Sequence, residues 1–234
     1  MQVIVLSAGV GTRLFPISNF LPKAMIPVGE KPCIRWIVER IKKQGFDDIL
    51  LRINEKDAPL FKHEFRDLNL AVSCADRPYG TAGELLEMRK RREIHGEDFI
   101  LYYGDELTPI DLKRLEKFHQ YFKHPLVTLA LVQGMKLDVG TVSLDNEGNV
   151  LSFEEKPPLD KAIWAGICIF NETIFNGPWL SPDTDLAKDV FPKMTGGKKS
   201  LIKAAVLSTE WLDIGTLSHW ERANKLACEG KLCE

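Results

Sequence analysis

Cysteine is scarce in this chain: five in 234 residues, at 33, 74, 168, 228 and 233, scattered and without a C-x-x-C pair. An odd, unpatterned set excludes a disulfide framework and reads as reduced thiols. No sign of charge dominates, because 31 basic residues face 33 acidic ones for a net charge of -2. No overall field therefore draws the chain to nucleic acid or to an anionic membrane. The densest basic run, Arg89-Lys90-Arg91-Arg92, closes a predicted helix, where cations complement the dipole and face water. The five histidines, at 63, 95, 119, 124 and 219, lack metal-ligand spacing and are expected on exposed helix faces. Long apolar runs are missing, so no membrane span is expected, and Met1-Gln2-Val3 opens a strand rather than a charged leader. Cytoplasm is the expected compartment. No Ser/His/Asp or Cys/His constellation for nucleophilic catalysis stands out.

What is present is concentrated in the first 28 residues. Val3-Ile4-Val5-Leu6 is an apolar run, too short for a helix and suited to a strand covered on both faces. After Ser7 comes Ala8-Gly9-Val10-Gly11-Thr12-Arg13-Leu14, whose two glycines permit a sharp turn that brings bare N–H groups close to a ligand. Such a nest binds anions. Arg13 adds a permanently charged fork shaped for phosphate oxygens, and Lys23 follows in Leu21-Pro22-Lys23-Ala24-Met25-Ile26-Pro27-Val28. A dinucleotide fingerprint needs a third glycine where Leu14 stands, and a P-loop needs Gly-Lys-Ser/Thr, so neither applies.

Along the rest of the opening third, strands and helices alternate. Ile34, Ile37, Val38 and Ile41 repeat at helical spacing after Pro32; strands are predicted over 48–53 and 70–74, and a helix over 56–66. This order predicts a largely parallel sheet with helices on both faces, whose ligands gather at the carboxyl ends of the strands. Three loops should then share a rim: the opening one, Asp76-Arg77-Pro78-Tyr79-Gly80-Thr81-Ala82-Gly83 before a helix at Glu84, and Gly104-Asp105-Glu106 after the strand Phe99–Tyr103. Small residues at a helix start leave N–H groups free for a base or a phosphate. A carboxylate at a strand tip, Asp105, suits a hard cation such as Mg2+. A helix is expected from Pro109 to Lys123 and a strand from Leu126 to Val132. A hairpin then runs over 139–153, followed by Glu154-Glu155-Lys156-Pro157-Pro158 and a strand over 163–170. A helix carrying Leu186, Val190, Phe191 and Met194 precedes a strand over 204–207, and Glu210-Trp211-Leu212-Asp213-Ile214-Gly215-Thr216 leads into a last helix.

Gly-x-Gly-Thr-Arg-Leu-x-Pro followed by Pro-Lys-x-Met-x-Pro-Val resembles the signature of the sugar-1-phosphate nucleotidyltransferases, the nucleotide-sugar pyrophosphorylases. Gly80-Thr81-Ala82-Gly83 is similar to their base-recognition loop, and Trp-x-Asp-x-Gly-Thr to their second metal motif. The resemblance spans nearly the whole chain, with its motifs in order. It implies an α/β fold, a Rossmann-like three-layer sandwich around a mostly parallel mixed sheet, as one domain over 1–234. The nucleotide part would cover about 1–108 and the sugar-phosphate part about 109–234. It implies Arg13 and Lys23 as catalytic cations, and nucleotide contacts from Leu6, Ala8, Gly9, Gly11, Thr12, Arg13, Asp76, Gly80, Thr81, Ala82 and Asp105. Gly140, Glu155, Lys156 and Gly166 would meet the sugar phosphate, and Asp105 and Asp213 would hold Mg2+. The implied partners are a nucleoside triphosphate and a sugar 1-phosphate; nucleic acid and membrane are not expected, and a homo-oligomer is left open. A cytidylyltransferase acting on a non-sugar phosphate such as phosphocholine, or a catalytically silent regulatory subunit of the same fold, are the alternatives.

Overall fold

Strand β1 (Gln2–Leu6) is buried along its whole length, and its side chains alternate between two cores, Val3 and Val5 on one side, Ile4 and Leu6 on the other. That alternation is what a strand with helices on both faces requires. Each fully buried Val, Leu or Ile contributes about 1.5–3 kcal/mol relative to exposure. A computed structural model describes residues 1–9, 11–137, 139–195, 200–208 and 210–232. Val10, Cys233 and the Thr12 side chain lie outside the described residues.

After β1 come a two-residue ribbon, β2 (Pro27–Val28) and β3 (Lys31–Pro32), and α1 (Cys33–Lys43), which buries Ile34, Ile37, Val38 and Ile41 as the spacing predicts. β4 (Ile49–Asn54), α2 (Ala58–Glu64), β5 (Ala71–Ala75), α3 (Gly80–Lys90) and β6 (Asp98–Tyr103) complete the alternating third. β7 (Glu106–Leu107), α4 (Leu112–Tyr121) and β8 (Val127–Val132) follow, then β9 (Gly140–Leu144), β10 (Val150–Glu155) and the long β11 (Ile163–Asn171). The chain closes with α5 (Phe191–Met194), β12 (Ile202–Ser208), β13 (Leu212–Asp213) and α6 (Leu217–Cys228).

Seven strands form the central sheet in the order β12-β8-β11-β6-β1-β4-β5. All neighbours are parallel except β11, which runs antiparallel to both β6 and β8. One face is covered by α1, α2, α4 and α6 and the other by α3 and α5. The three-layer sandwich with a mostly parallel mixed sheet is thus what forms. Three ribbons stand apart from the sheet among the described residues, β2 with β3, β9 with β10 and β7 with β13. Among the described residues, no helix is long and apolar enough to cross a membrane.

Three sequence expectations need correction. The helix expected at Glu84 starts at Gly80, because glycine there takes φ +70° and lets the chain swing straight from Tyr79 into the first turn. The helix expected from Pro109 starts at Leu112, where the Asp111 carboxylate accepts the Arg114 N–H at 3.0 Å and fixes the N-terminus. His119, expected on the surface, is fully buried.

Candidate active site

Parallel strands deliver their carboxyl ends to one rim, where the chain after β1, the start of α3 and the chain after β6 surround a cavity of about 360 Å³. Leu6, Ala8, Gly9, Gly11, Arg13, Lys23, Gly80, Thr81 and Asp105, each expected from sequence, line it. Ala82 does not: it is fully buried behind the first turn of α3, its N–H donating to Thr184 O at 3.0 Å. Asp76 faces a neighbouring depression instead and accepts the Tyr79 hydroxyl at 2.8 Å.

The residues of opposite ends of the sequence meet at Lys23. Its ammonium donates to the Asp105 carboxylate and to Asp213 Oδ1, the latter at 2.8 Å. Arg13 Nη2 adds a contact of 3.2 Å to Asp213 Oδ2. Burial alone would lower the Lys23 pKa, but Asp105 and Asp213 outweigh it and hold the ammonium above its usual value. Asp213 shows the converse: burial would raise it, and Lys23 with Arg13 keeps it below the ordinary carboxylate range. The short antiparallel pairing of β7 with β13, which sets Glu106 opposite Asp213, is what brings the two strand ends together.

Glu106 was missed by sequence reasoning, although it directly follows Asp105. It is 7% exposed, and its Oε2 has no hydrogen-bond partner among the described residues. Carboxylate oxygens of Asp105, Glu106 and Asp213 lie within 4.8 Å of one another. Burial first, then Asp105 and Asp213, push its pKa well above the usual carboxylate range. Three carboxylates this close, one of them with an orphaned buried oxygen, form a donor set that fits a hard divalent cation. Gly166 belongs to the same corner. Its φ of +70° places the backbone against Glu106, and a Cβ there would sit 2.7 Å from Glu106 Cγ.

The remaining residues expected on the sugar side are grouped at one end of the β9–β10 ribbon, where Gly140 pairs directly with Glu155 and Lys156 directly follows β10. They do not line the cavity. Sequence reasoning also missed Ser7, Tyr79, Glu84 and Tyr103, all on the cavity wall. The Tyr103 ring is packed edge-on against Trp164, with centroids 5.2 Å apart. Glu84 is held beneath the wall: Arg52, fully buried, donates from Nε to its Oε2 at 2.6 Å, while Oε1 accepts the Tyr79 N–H at 3.3 Å. No local motif announces a pair 32 residues apart.

The family model described as nucleotidyl transferase matches residues 2–230. A UTP–glucose-1-phosphate uridylyltransferase of Synechocystis is 28% identical over 242 residues, covering 94% of this chain and 62% of that relative. A D-glycero-alpha-D-manno-heptose 1-phosphate guanylyltransferase of Campylobacter jejuni is 32% identical over 220 residues, covering 92% of this chain and 95% of that relative. The crystal structure of HddC from Yersinia pseudotuberculosis superposes with a TM-score of 0.71 at 25% identity, over 96% of this chain and 98% of that one. The same protein complexed with GMP-PN gives the same TM-score.

Proposed function

Since the chain belongs to the nucleotidyl transferase family, we propose that it joins a nucleoside triphosphate to a sugar 1-phosphate, releasing pyrophosphate and an NDP-sugar. The observation that carries this reading is the meeting of Lys23 with Asp105 and Asp213 on a cavity lined by Gly9, Gly11 and the start of α3. The triphosphate lies along the glycine loop, with bare N–H groups of that loop directed at it and the start of α3 beside it. The sugar 1-phosphate approaches from the β9–β10 side, where Glu155 accepts from ring hydroxyls and Lys156 meets the phosphate.

The reaction needs no protein nucleophile. A phosphate monoester, with a second pKa of about 6, is largely dianionic at neutral pH and attacks unaided. One of its oxygens forms the new bond to the α-phosphorus as the bond from that phosphorus to the β-bridging oxygen breaks in line, and pyrophosphate carries the electron pair away. The protein's part is orientation and positive charge where negative charge accumulates. Arg13 holds the β- and γ-phosphates. Lys23 leaves its carboxylates for the α-phosphoryl group as the nucleotide settles. Asp105 and Asp213, with Glu106 beside them, would hold a divalent cation, which we assign as Mg2+; it supplies charge neutralisation for the phosphates.

Two measurements test the reading. Pyrophosphate release is assayed with Mg2+ across UTP, GTP and the other common triphosphates, each against glucose, mannose and heptose 1-phosphates. Release confined to one pair is the expected result, and none from any pair would defeat it. Mn2+ binding followed by magnetic resonance is expected in the unaltered protein and lost in Asp105→Asn/Asp213→Asn. Undiminished binding in that variant would move the cation elsewhere.

A further inference from the structure

At the other end of β6 from Asp105 lies a second group of ligand-type side chains. Asp98, the first residue of β6, is 8% exposed. Its Oδ1 is 3.2 Å from His119 Nε2 and its Oδ2 meets His124 Nδ1. With a rise of about 3.3 Å per residue, the strand separates this cluster from Asp105 by about 20 Å.

We infer that Asp98, His119 and His124 form a second metal site, a two-imidazole, one-carboxylate centre for a borderline transition-metal ion of the Zn2+ type. The donor atoms lie within 4.8 Å of one another. Zinc bonds of about 2.0–2.1 Å put tetrahedral ligands about 3.3 Å apart, and the His119–Asp98 separation of 3.2 Å is already that edge. The supporting contacts are those such ligands need. His119 Nδ1 is 2.7 Å from Thr128 Oγ1, and Asn171 Nδ2 donates to Asp98 Oδ1 at 2.9 Å.

A hydroxyl gives or accepts a proton, so Thr128 tolerates either tautomer of His119. An ion on His119 Nε2 requires only that the ring proton sit on Nδ1, facing Thr128. Likewise His124 binds through Nδ1 with its proton on Nε2. Each ring then coordinates with its proton on the nitrogen that faces away from Asp98. The His124 side chain is 38% exposed while those of His119 and Asp98 are 0% and 7% exposed, so the site opens to solvent on one side only, leaving entry for the ion and a position for water. A latch tying α4 to β6 would need one imidazole. Here the chain turns through left-handed backbone at Lys123 and His124, φ 60° and 54°, and brings a second.

Zn2+ is titrated calorimetrically into the full chain carrying Asp105→Asn/Asp213→Asn, the pair expected to silence the candidate active-site cation. One equivalent is expected to bind. Adding His124→Gln should weaken it about 100-fold, by analogy with disturbed metal ligation, and abolish the visible absorption of bound Co2+ while pyrophosphate release by otherwise unaltered His124→Gln stays normal. No binding in Asp105→Asn/Asp213→Asn, or equal binding with and without His124→Gln, overturns the inference. Should His124→Gln unfold, imidazole proton resonances of the unaltered protein decide: shifts at both His119 and His124 on adding Zn2+ support the site, and unmoved signals overturn it. The site stands or falls independently of the proposed reaction.

Discussion

Lys23 donates to Asp213 Oδ1 at 2.8 Å across 190 residues of sequence, and the same ammonium holds Asp105. One lysine thereby closes the gap between the strand ends of β6 and β13. Lys23→Ala should leave the fold intact and lower turnover about 10²-fold or more, the cost of removing one preorganised electrostatic donor. Steady-state pyrophosphate release together with far-ultraviolet circular dichroism checks both halves; near-normal turnover would take Lys23 out of the chemistry.

Gly80 opens α3 at φ +70°, and a Cβ there would run into the Thr184 carbonyl. Gly80→Ala therefore meets both a backbone penalty and a collision with main chain. A loss of stability above about 1 kcal/mol is expected, with weakened nucleotide binding because the first turn of α3 is displaced. Urea midpoints and calorimetry with nucleotide measure the two. A variant as stable as the parent would show that the segment around Thr184 yields.

Arg52 and Glu84 are 0% and 5% exposed and bonded at 2.6 Å. Removing one leaves the other as an uncompensated buried charge, so Arg52→Met should cost about 3–5 kcal/mol. The double variant Arg52→Met/Glu84→Leu should recover much of that stability but not nucleotide binding, since Tyr79 would lose the acceptor of its N–H. Chemical denaturation of both variants tests the coupling, and equal losses in single and double variants would contradict it.

Acidification should unfold the protein in two stages. Burial lowers the His119 pKa. Burial would raise Asp98, but Asn171, His124 and His119 keep it below the ordinary carboxylate range. At both groups the folded state binds fewer protons than the unfolded one, so stability falls with pH. The His119 share is complete above about pH 6.5 and goes first; the Asp98 share declines below about pH 4. Melting temperature against pH should show both, and His119→Gln should remove the upper stage. An unchanged upper stage in that variant would assign it to another group.

The order of strands and helices was legible because hydrophobic periodicity is local: Ile34, Ile37, Val38 and Ile41 show their helix whatever surrounds them. Arg13, Lys23 and Asp105 were legible because each lies in a short motif tied to glycine or proline. Glu106 was not, since its interest comes from being buried opposite Asp213, and nothing in Gly-Asp-Glu specifies that pairing. Nor was the burial of His119, which depends on Asp98 and Thr128 from two strands. Arg52 reads as an ordinary strand cation until Glu84 is placed beneath the same wall.

The antiparallel seam between β6 and β11 bears on how the chain can be divided. β6 pairs with β1 on one side and with β11 on the other, so a cut after residue 108 would strip one whole edge from a strand buried on both faces. The exposed amides and carbonyls of Phe99 to Tyr103 would become a template for a second copy of the fragment. A break anywhere between β6 and β11, the β9–β10 turn at Asp145–Asn149 included, parts the same two strands, so separately made halves are expected to associate with themselves before they find each other.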